Sequence, residues 1–229
     1  MLIHGLQKMT LLDFPEHVAC TVFLAGCDMR CPYCHNFELV DGSAEPVMDE
    51  DEFFAFLKKR QGLLDGVAIT GGEPLLQPEL GSFIEKIRNM GYLVKLDTNG
   101  CHPEALSRLF SQKLIDYVAM DVKNSPTRYC ATTGLSELDM GKIEESIRII
   151  MNSAPDYEFR TTVVKELHSK EDFVEIGKLI KGAKAYYLQQ FVERDTVPDR
   201  GLGSPTAEEM ALFLDVVKEY VPAAKIRGI

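Results

Sequence analysis

The chain has 229 residues, 45% of them hydrophobic, with 25 basic against 35 acidic side chains and a net charge of -10. That acidity gives a nonspecific grip on a phosphate backbone no electrostatic support, and the apolar content without low-complexity tracts excludes a disordered chain. The opening MLIHGLQKMTLLDFPEH lacks a basic region followed by a long apolar stretch, and no later run reaches about 18 apolar residues, so the expectation is a soluble, cytoplasmic protein with neither a membrane nor a nucleic-acid partner.

Short apolar, mostly β-branched segments recur along the chain as VACTVFL (18–24), GVAIT (66–70), YLVKLD (92–97), DYVAMD (116–121), EFRTTVV (158–164) and AYYLQQF (185–191). Helical periods separate them: Phe53, Phe56 and Leu57, then Phe83, Ile84, Ile87 and Met90, then Leu106, Leu109 and Phe110. Ile143, Ile147 and Ile150 follow, and then Phe173, Ile176, Leu179 and Ile180. Gly91 and Gly182 fit helix stops, and Ser169 with Asp172, or Thr206 with Glu209, fits a helix-starting box. VPDRGLGSP (197–205) reads as a surface loop before the last helix.

Such alternation predicts a parallel sheet with helical crossovers. Polar residues recur near the carboxyl ends of successive strands, namely Thr70, Asp97, Asp121 and Gln190, which favours a barrel whose strand ends share one site over an open doubly wound sheet. The expected fold is α/β, a partial (β/α)6 TIM-like barrel, in a single domain over 1–229.

Three of the six cysteines crowd into FLAGCDMRCPYCHN, where Cys27, Cys31 and Cys34 stand as C-x3-C-x2-C directly after the first predicted strand. Thiolates suit both zinc and iron-sulfur clusters, so residue type leaves both open. A closed zinc site wants a fourth ligand; His35 is adjacent to Cys34, which makes joint tetrahedral ligation awkward, and Cys20 lies inside a predicted strand. Three thiolates on one loop, about 24–37, can instead hold three irons of a cubane and leave the fourth iron open. With no signal segment, this clustering favours metal binding in a reducing compartment over a disulfide framework.

The cysteine spacing, with aromatic Tyr33 between the last two, resembles the radical S-adenosylmethionine (SAM) superfamily. So does TGGEP, Thr70 to Pro74, after the second predicted strand, whose glycines let backbone approach a ligand closely. The resemblance implies a [4Fe-4S] cluster on Cys27, Cys31 and Cys34 and a SAM site that includes Tyr33, Thr70, Gly71, Gly72 and Glu73. KLDTNG (95–100) and AMDVK (119–123) narrow the resemblance to the activases of glycyl-radical enzymes. That group implies cofactor contacts from Asp97, Asn99, Lys123, Arg160 and Gln190, and a monovalent cation held by Asp97, Thr98, Asp121 and the Ala119 carbonyl. Two carboxylates, a hydroxyl and a carbonyl are the hard oxygen donors such an ion takes. Arg160 in an apolar interior would need an anionic partner, and strand alternation lets only one of Gln189 and Gln190 face inward.

The opening KMTLLDFPEHVACTVFLAGCDMRCPYCHN is most similar to activating proteins of anaerobic ribonucleoside-triphosphate reductase, and only 37 positions separate Asn36 from Glu73, too few for a second cluster domain. The implied reaction is reductive cleavage of SAM, with an electron from flavodoxin or ferredoxin, and hydrogen abstraction from a backbone glycine of a partner enzyme. The alternatives are a pyruvate formate-lyase-type activase, a radical enzyme modifying a small molecule or peptide, and a noncatalytic iron-sulfur or zinc scaffold. SPTRYCATTG (125–134) is expected to be an irregular stretch over the barrel mouth that meets the protein substrate.

Overall fold

In the computed structural model, which describes residues 1–228, the chain starts with two strands the sequence pattern did not reveal, β1 (Leu2–Ile3) and β2 (Gly5–Thr10). The predicted first strand follows as β3 (Ala19–Leu24), then α1 (Phe37–Asp41), β4 (Met48–Asp49), α2 (Glu50–Lys58) and β5 (Gly66–Gly71). Next come α3 (Leu80–Asn89), β6 (Leu93–Thr98), α4 (Pro103–Ser111), β7 (Tyr117–Asp121), α5 (Tyr129–Thr133) and α6 (Met140–Ser153). The chain closes with β8 (Asp156–Val163), α7 (Lys170–Leu179), β9 (Tyr186–Gln190), α8 (Ala207–Lys218) and β10 (Lys225–Arg227).

All six predicted strands lie side by side, in the sheet order β10-β9-β8-β7-β6-β5-β3-β2. Every neighbouring pair is parallel except β2 with β3, and β1 pairs separately with β4. β2 and β10 end the sheet without pairing to each other, so the barrel is partial and open. The sheet nevertheless curls: His35, in the loop after β3, lies with Nε2 2.7 Å from the carbonyl oxygen of Val192, just past β9.

The strands have two unlike faces. Val94, Leu96, Val118, Met120, Phe159, Tyr186 and Leu188 are fully buried against the helices. Alternate positions point the other way, and there the interior is polar: Lys95 and Asp97 on β6, Asp121 on β7, Glu158 and Arg160 on β8. Each helix contributes one apolar stripe to the outer layer, such as Phe83, Ile84 and Ile87 on α3 or Ile143, Ile147 and Ile150 on α6. Both predicted capping boxes form, Ser169 with Asp172 and Thr206 with Glu209, and a third, Asp49 with Glu52, starts α2. Gly91 and Gly182 take positive φ just past their helices.

Two loops differ from expectation. The stretch 125–134 is not irregular: it contains α5, with Tyr129, Thr132 and Thr133 fully buried. It braces the cysteine loop, since the Arg30 amide donates to the Thr133 carbonyl at 2.8 Å, and a Cβ on Gly134 would meet Arg30 O at 2.3 Å. The loop 197–205 is more than a surface connection, because Val197 and Leu202 are buried and the Asp199 amide donates to Pro32 O at 3.1 Å.

Candidate active site

The carboxyl ends of β3 and β5 to β9 converge on one open cleft with a cavity volume of about 230 Å³. Its walls carry Cys27, Cys31, Tyr33 and Cys34 from the loop after β3, Thr70, Gly71 and Gly72 from β5, and Asp97, Thr98 and Asn99 from β6. Asp121, Lys123, Arg160, Thr162 and Gln189 complete them.

The cysteine loop is held against the glycine turn by backbone. Glu73 and Gly72 amides donate to Gly26 O and Leu24 O, both at 2.8 Å, and Gln77 Nε2 donates to Ala25 O at 2.8 Å. A Cβ on Gly72 would lie 2.0 Å from Gly26 O, so only glycine permits this approach. On the far side, Asp28 takes Asn99 Nδ2 at 2.7 Å and lies 2.9 Å from His102 Nε2. Asp28, His102 and Gln77 carry no local sequence signal because their partners are remote in the chain.

Burial raises all three thiols, that of Cys27 to about 12, so thiolates here require the positive charge of bound metal. Three thiolates on one loop, with His35 turned onto Phe191, are one ligand short of a closed zinc site. In a cubane each of the three thiolates takes a different iron, and such a group fits this donor set. His35 is no fourth ligand: it stacks on Phe191 with ring centroids 5.6 Å apart.

SAM also fits. The Tyr33 hydroxyl is buried at the cleft without a hydrogen-bond partner, and such an orphan calls for a ligand group. Thr70, Gly71, Gly72 and Asn99 line the cleft. Glu73 does not. It is 0% exposed and faces the next turn, where Oε1 accepts from Leu75 N at 3.0 Å and Thr98 Oγ1 at 2.9 Å and Oε2 accepts from Asn99 N at 2.6 Å. Glu73 thus clamps TGGEP to DTNG. Burial drives its carboxyl up to about 7 against those three donors.

Gln190 is likewise outside the cleft, donating through Nε2 to Pro205 O at 2.8 Å; alternation turns Gln189 inward instead. Arg160 does face inward and has anionic partners: Nε donates to Asp121 Oδ1 at 2.9 Å and NH1 to Asp97 Oδ2 at 3.3 Å. Lys123 Nζ donates to Asp121 Oδ2 at 2.9 Å, and Lys95 Nζ donates to Asp97 Oδ1. Burial alone would raise both aspartates, but Arg160 foremost, then Lys95 for Asp97 and Lys123 for Asp121, hold them below the usual carboxylate range.

At the expected cation site the oxygen donors have other partners. Each oxygen of Asp97 and Asp121 already accepts from a cationic side chain, the Thr98 hydroxyl is turned to Glu73, and Ala119 sits in the ladder opposite Asp97 and Glu158.

The sequence profile described as the Radical SAM superfamily matches residues 21–180. The chain belongs to the radical SAM superfamily. It is a radical SAM enzyme whose relatives include glycyl-radical enzyme activases. A Methanocaldococcus jannaschii protein named for glycyl-radical enzyme activation is 32% identical over 100% of this chain and 96% of its own. A 7-carboxy-7-deazaguanine synthase of Koribacter versatilis is 33% identical over 67% of this chain and 64% of its own. A pyruvate formate-lyase-activating enzyme of Clostridium pasteurianum is 27% identical over 80% and 77%. Among solved structures, Streptococcus suis SuiB bound to its precursor peptide SuiA aligns with a TM-score of 0.71 at 12% identity, over 91% of this chain and 48% of SuiB. A domain of a pyruvate-formate lyase-activating enzyme from Bacteroides vulgatus aligns at 0.58 and 18%, over 71% and 99%. These identities speak to the fold alone. The superfamily implies a [4Fe-4S] cluster and SAM, and no helix among the described residues is long and apolar enough to cross a membrane.

Proposed function

We propose that this chain activates a glycyl-radical enzyme, holding a [4Fe-4S] cluster on Cys27, Cys31 and Cys34 and SAM along Tyr33, Thr70 to Gly72, Asn99 and the Arg160 network. When bound, these cofactors would supply one-electron reductive chemistry directed at a backbone glycine of the partner. The residues of the chain orient and shield; no acid or base is required.

The observation that carries the reading is the charge balance of the cleft. Every charged side chain lining it is already paired within the row Lys95, Asp97, Arg160, Asp121, Lys123. With three cations against two anions, the row has one positive charge to offer, which suits the carboxylate of SAM. None is left to anchor a small polar substrate, whereas a backbone glycine needs only access. The full-length match to the archaeal activase-named relative supports the same reading.

We take the partner to be an anaerobic ribonucleoside-triphosphate reductase, on the resemblance of residues 8–36, and the electron donor to be flavodoxin or ferredoxin in the cytoplasm. A second reading, modification of a small molecule, draws on the 7-carboxy-7-deazaguanine synthase match, which spans two thirds of this chain. The test is anaerobic reconstitution with iron and sulfide, then reduction with SAM and the reductase of the same genome. The expected result is 5′-deoxyadenosine together with the electron paramagnetic resonance doublet of a glycyl radical. Release of 5′-deoxyadenosine with no doublet on any glycyl-radical enzyme of that genome would turn the assignment to the second reading.

A further inference from the structure

We propose that the ammonium of Lys95 on Asp97, with Arg160 bridging Asp97 and Asp121, permanently takes the place of a metal cation there, so that this chain binds SAM without any monovalent metal ion. The inference rests on the reading that the cleft takes SAM.

Lysine is among the residues least often buried without a partner, yet Lys95 is 2% exposed in the middle of β6. Its neighbours make room for it. In register, Ala68 on β5 stands opposite Lys95, and Ala119 on β7 stands opposite Asp97. Both are small and buried, which leaves width inside the barrel for a four-carbon stem to run upward beneath Asp97. Tyr117, the partner of Lys95 on β7, turns its hydroxyl to Glu158 Oε2 at 3.0 Å and makes no claim on the ammonium.

The outcome is a continuous buried row in which Lys95 meets Asp97, Asp97 meets Arg160, Arg160 meets Asp121 and Asp121 meets Lys123. A cation entering between the two aspartates would have to displace one of these donors. An ammonium is a compact unit charge with three donors, and this one is tethered by the strand, so its occupancy does not vary with the salt outside. A metal ion at the same place would depend on its own concentration. Lys95 is here a positioning residue: it fixes Asp97, which fixes Arg160, the side chain that faces the cofactor cleft.

The test compares SAM affinity of the cluster-loaded protein in choline chloride with that in sodium or potassium chloride at equal ionic strength, for the wild type and Lys95→Met. A thallium soak of crystals of the cofactor-free wild type reads the site without reference to activity. The wild type is expected to bind SAM within twofold in all three salts and to show no anomalous density between Asp97 and Asp121. Lys95→Met is expected to lose at least tenfold in affinity in choline and to regain most of it in sodium or potassium. Thallium density between the two aspartates of the wild type, a wild-type affinity that rises severalfold with metal ion, or a Lys95→Met protein that binds SAM normally in choline would each overturn the proposal. If Lys95→Met does not fold, the wild-type salt series and the soak still decide. If the wild type binds SAM in no salt, the cofactor reading fails and the soak alone settles the occupancy of the site.

Discussion

Replacing Gly72 by alanine tests the contact on which the site is built. A Cβ there would stand 2.0 Å from the carbonyl oxygen and 2.7 Å from the carbonyl carbon of Gly26, both backbone atoms that no side-chain rotation can move. Reaching ordinary contact requires a separation of roughly 1 Å or more between the glycine turn and the cysteine loop. The two hydrogen bonds joining them, Glu73 N to Gly26 O and Gly72 N to Leu24 O, would lengthen from 2.8 Å. Losing them removes about 0.5–1.5 kcal/mol each, and the overpacking adds about 1–3 kcal/mol, so the expected loss is about 2–6 kcal/mol. Gly91→Ala is the control: its φ is +90° but nothing lies within 4 Å, so only left-handed backbone strain of about 1–2 kcal/mol applies. Urea unfolding of the cofactor-free proteins measures both. Because Cys27 follows Gly26 directly, a displacement of about 1 Å should also lower SAM cleavage by about 100-fold after reconstitution. A Gly72→Ala protein no less stable than Gly91→Ala, and still cleaving SAM at the normal rate, would refute the close-approach argument.

Glu73 makes stability depend on pH. Its folded carboxyl titrates at about 7 against an ordinary 4.5, so the folded state holds its proton longer and stability from this group is full below about 4.5 and lost as pH rises through 7, by about 3 kcal/mol. Urea midpoints at pH 5 and 8 should therefore fall more for the wild type than for Glu73→Gln; parallel shifts in the two proteins would contradict the assignment. Arg160→Met leaves Asp97 and Asp121 with only Lys95 and Lys123 as partners, and breaking such a buried pair should destabilise by about 3 kcal/mol, seen in thermal unfolding of the cofactor-free chain. The paired variants Gln189→Ala and Gln190→Ala should separate: the first weakens SAM binding in equilibrium dialysis, whereas the second leaves it unchanged and loses about 1 kcal/mol of stability with the Pro205 hydrogen bond.

Local signals carried most of the scaffold. Six short apolar runs, five of them with β-branched residues, separated by 3.6-period stripes determined the parallel strands and their helices, because strand and helix burial each imprint their own period on neighbouring residues. The cysteine spacing and the TGGEP and DTNG turns were equally legible, since each is a contiguous set of residues whose chemistry depends on its own backbone. β2 escaped notice because GLQKMT lies at the sheet edge, half exposed and without an apolar alternation. The direction of Glu73, the choice of Gln189 over Gln190 and the roles of Asp28 and His102 were decided only by packing, because each depends on a partner from another strand or loop. Lys95 makes the point most plainly. In sequence it is one cation among 25 lysines and arginines. Curling of the sheet buries it beneath Asp97 and turns an oxygen-rich pair that looked ready for a metal ion into one already neutralised from within.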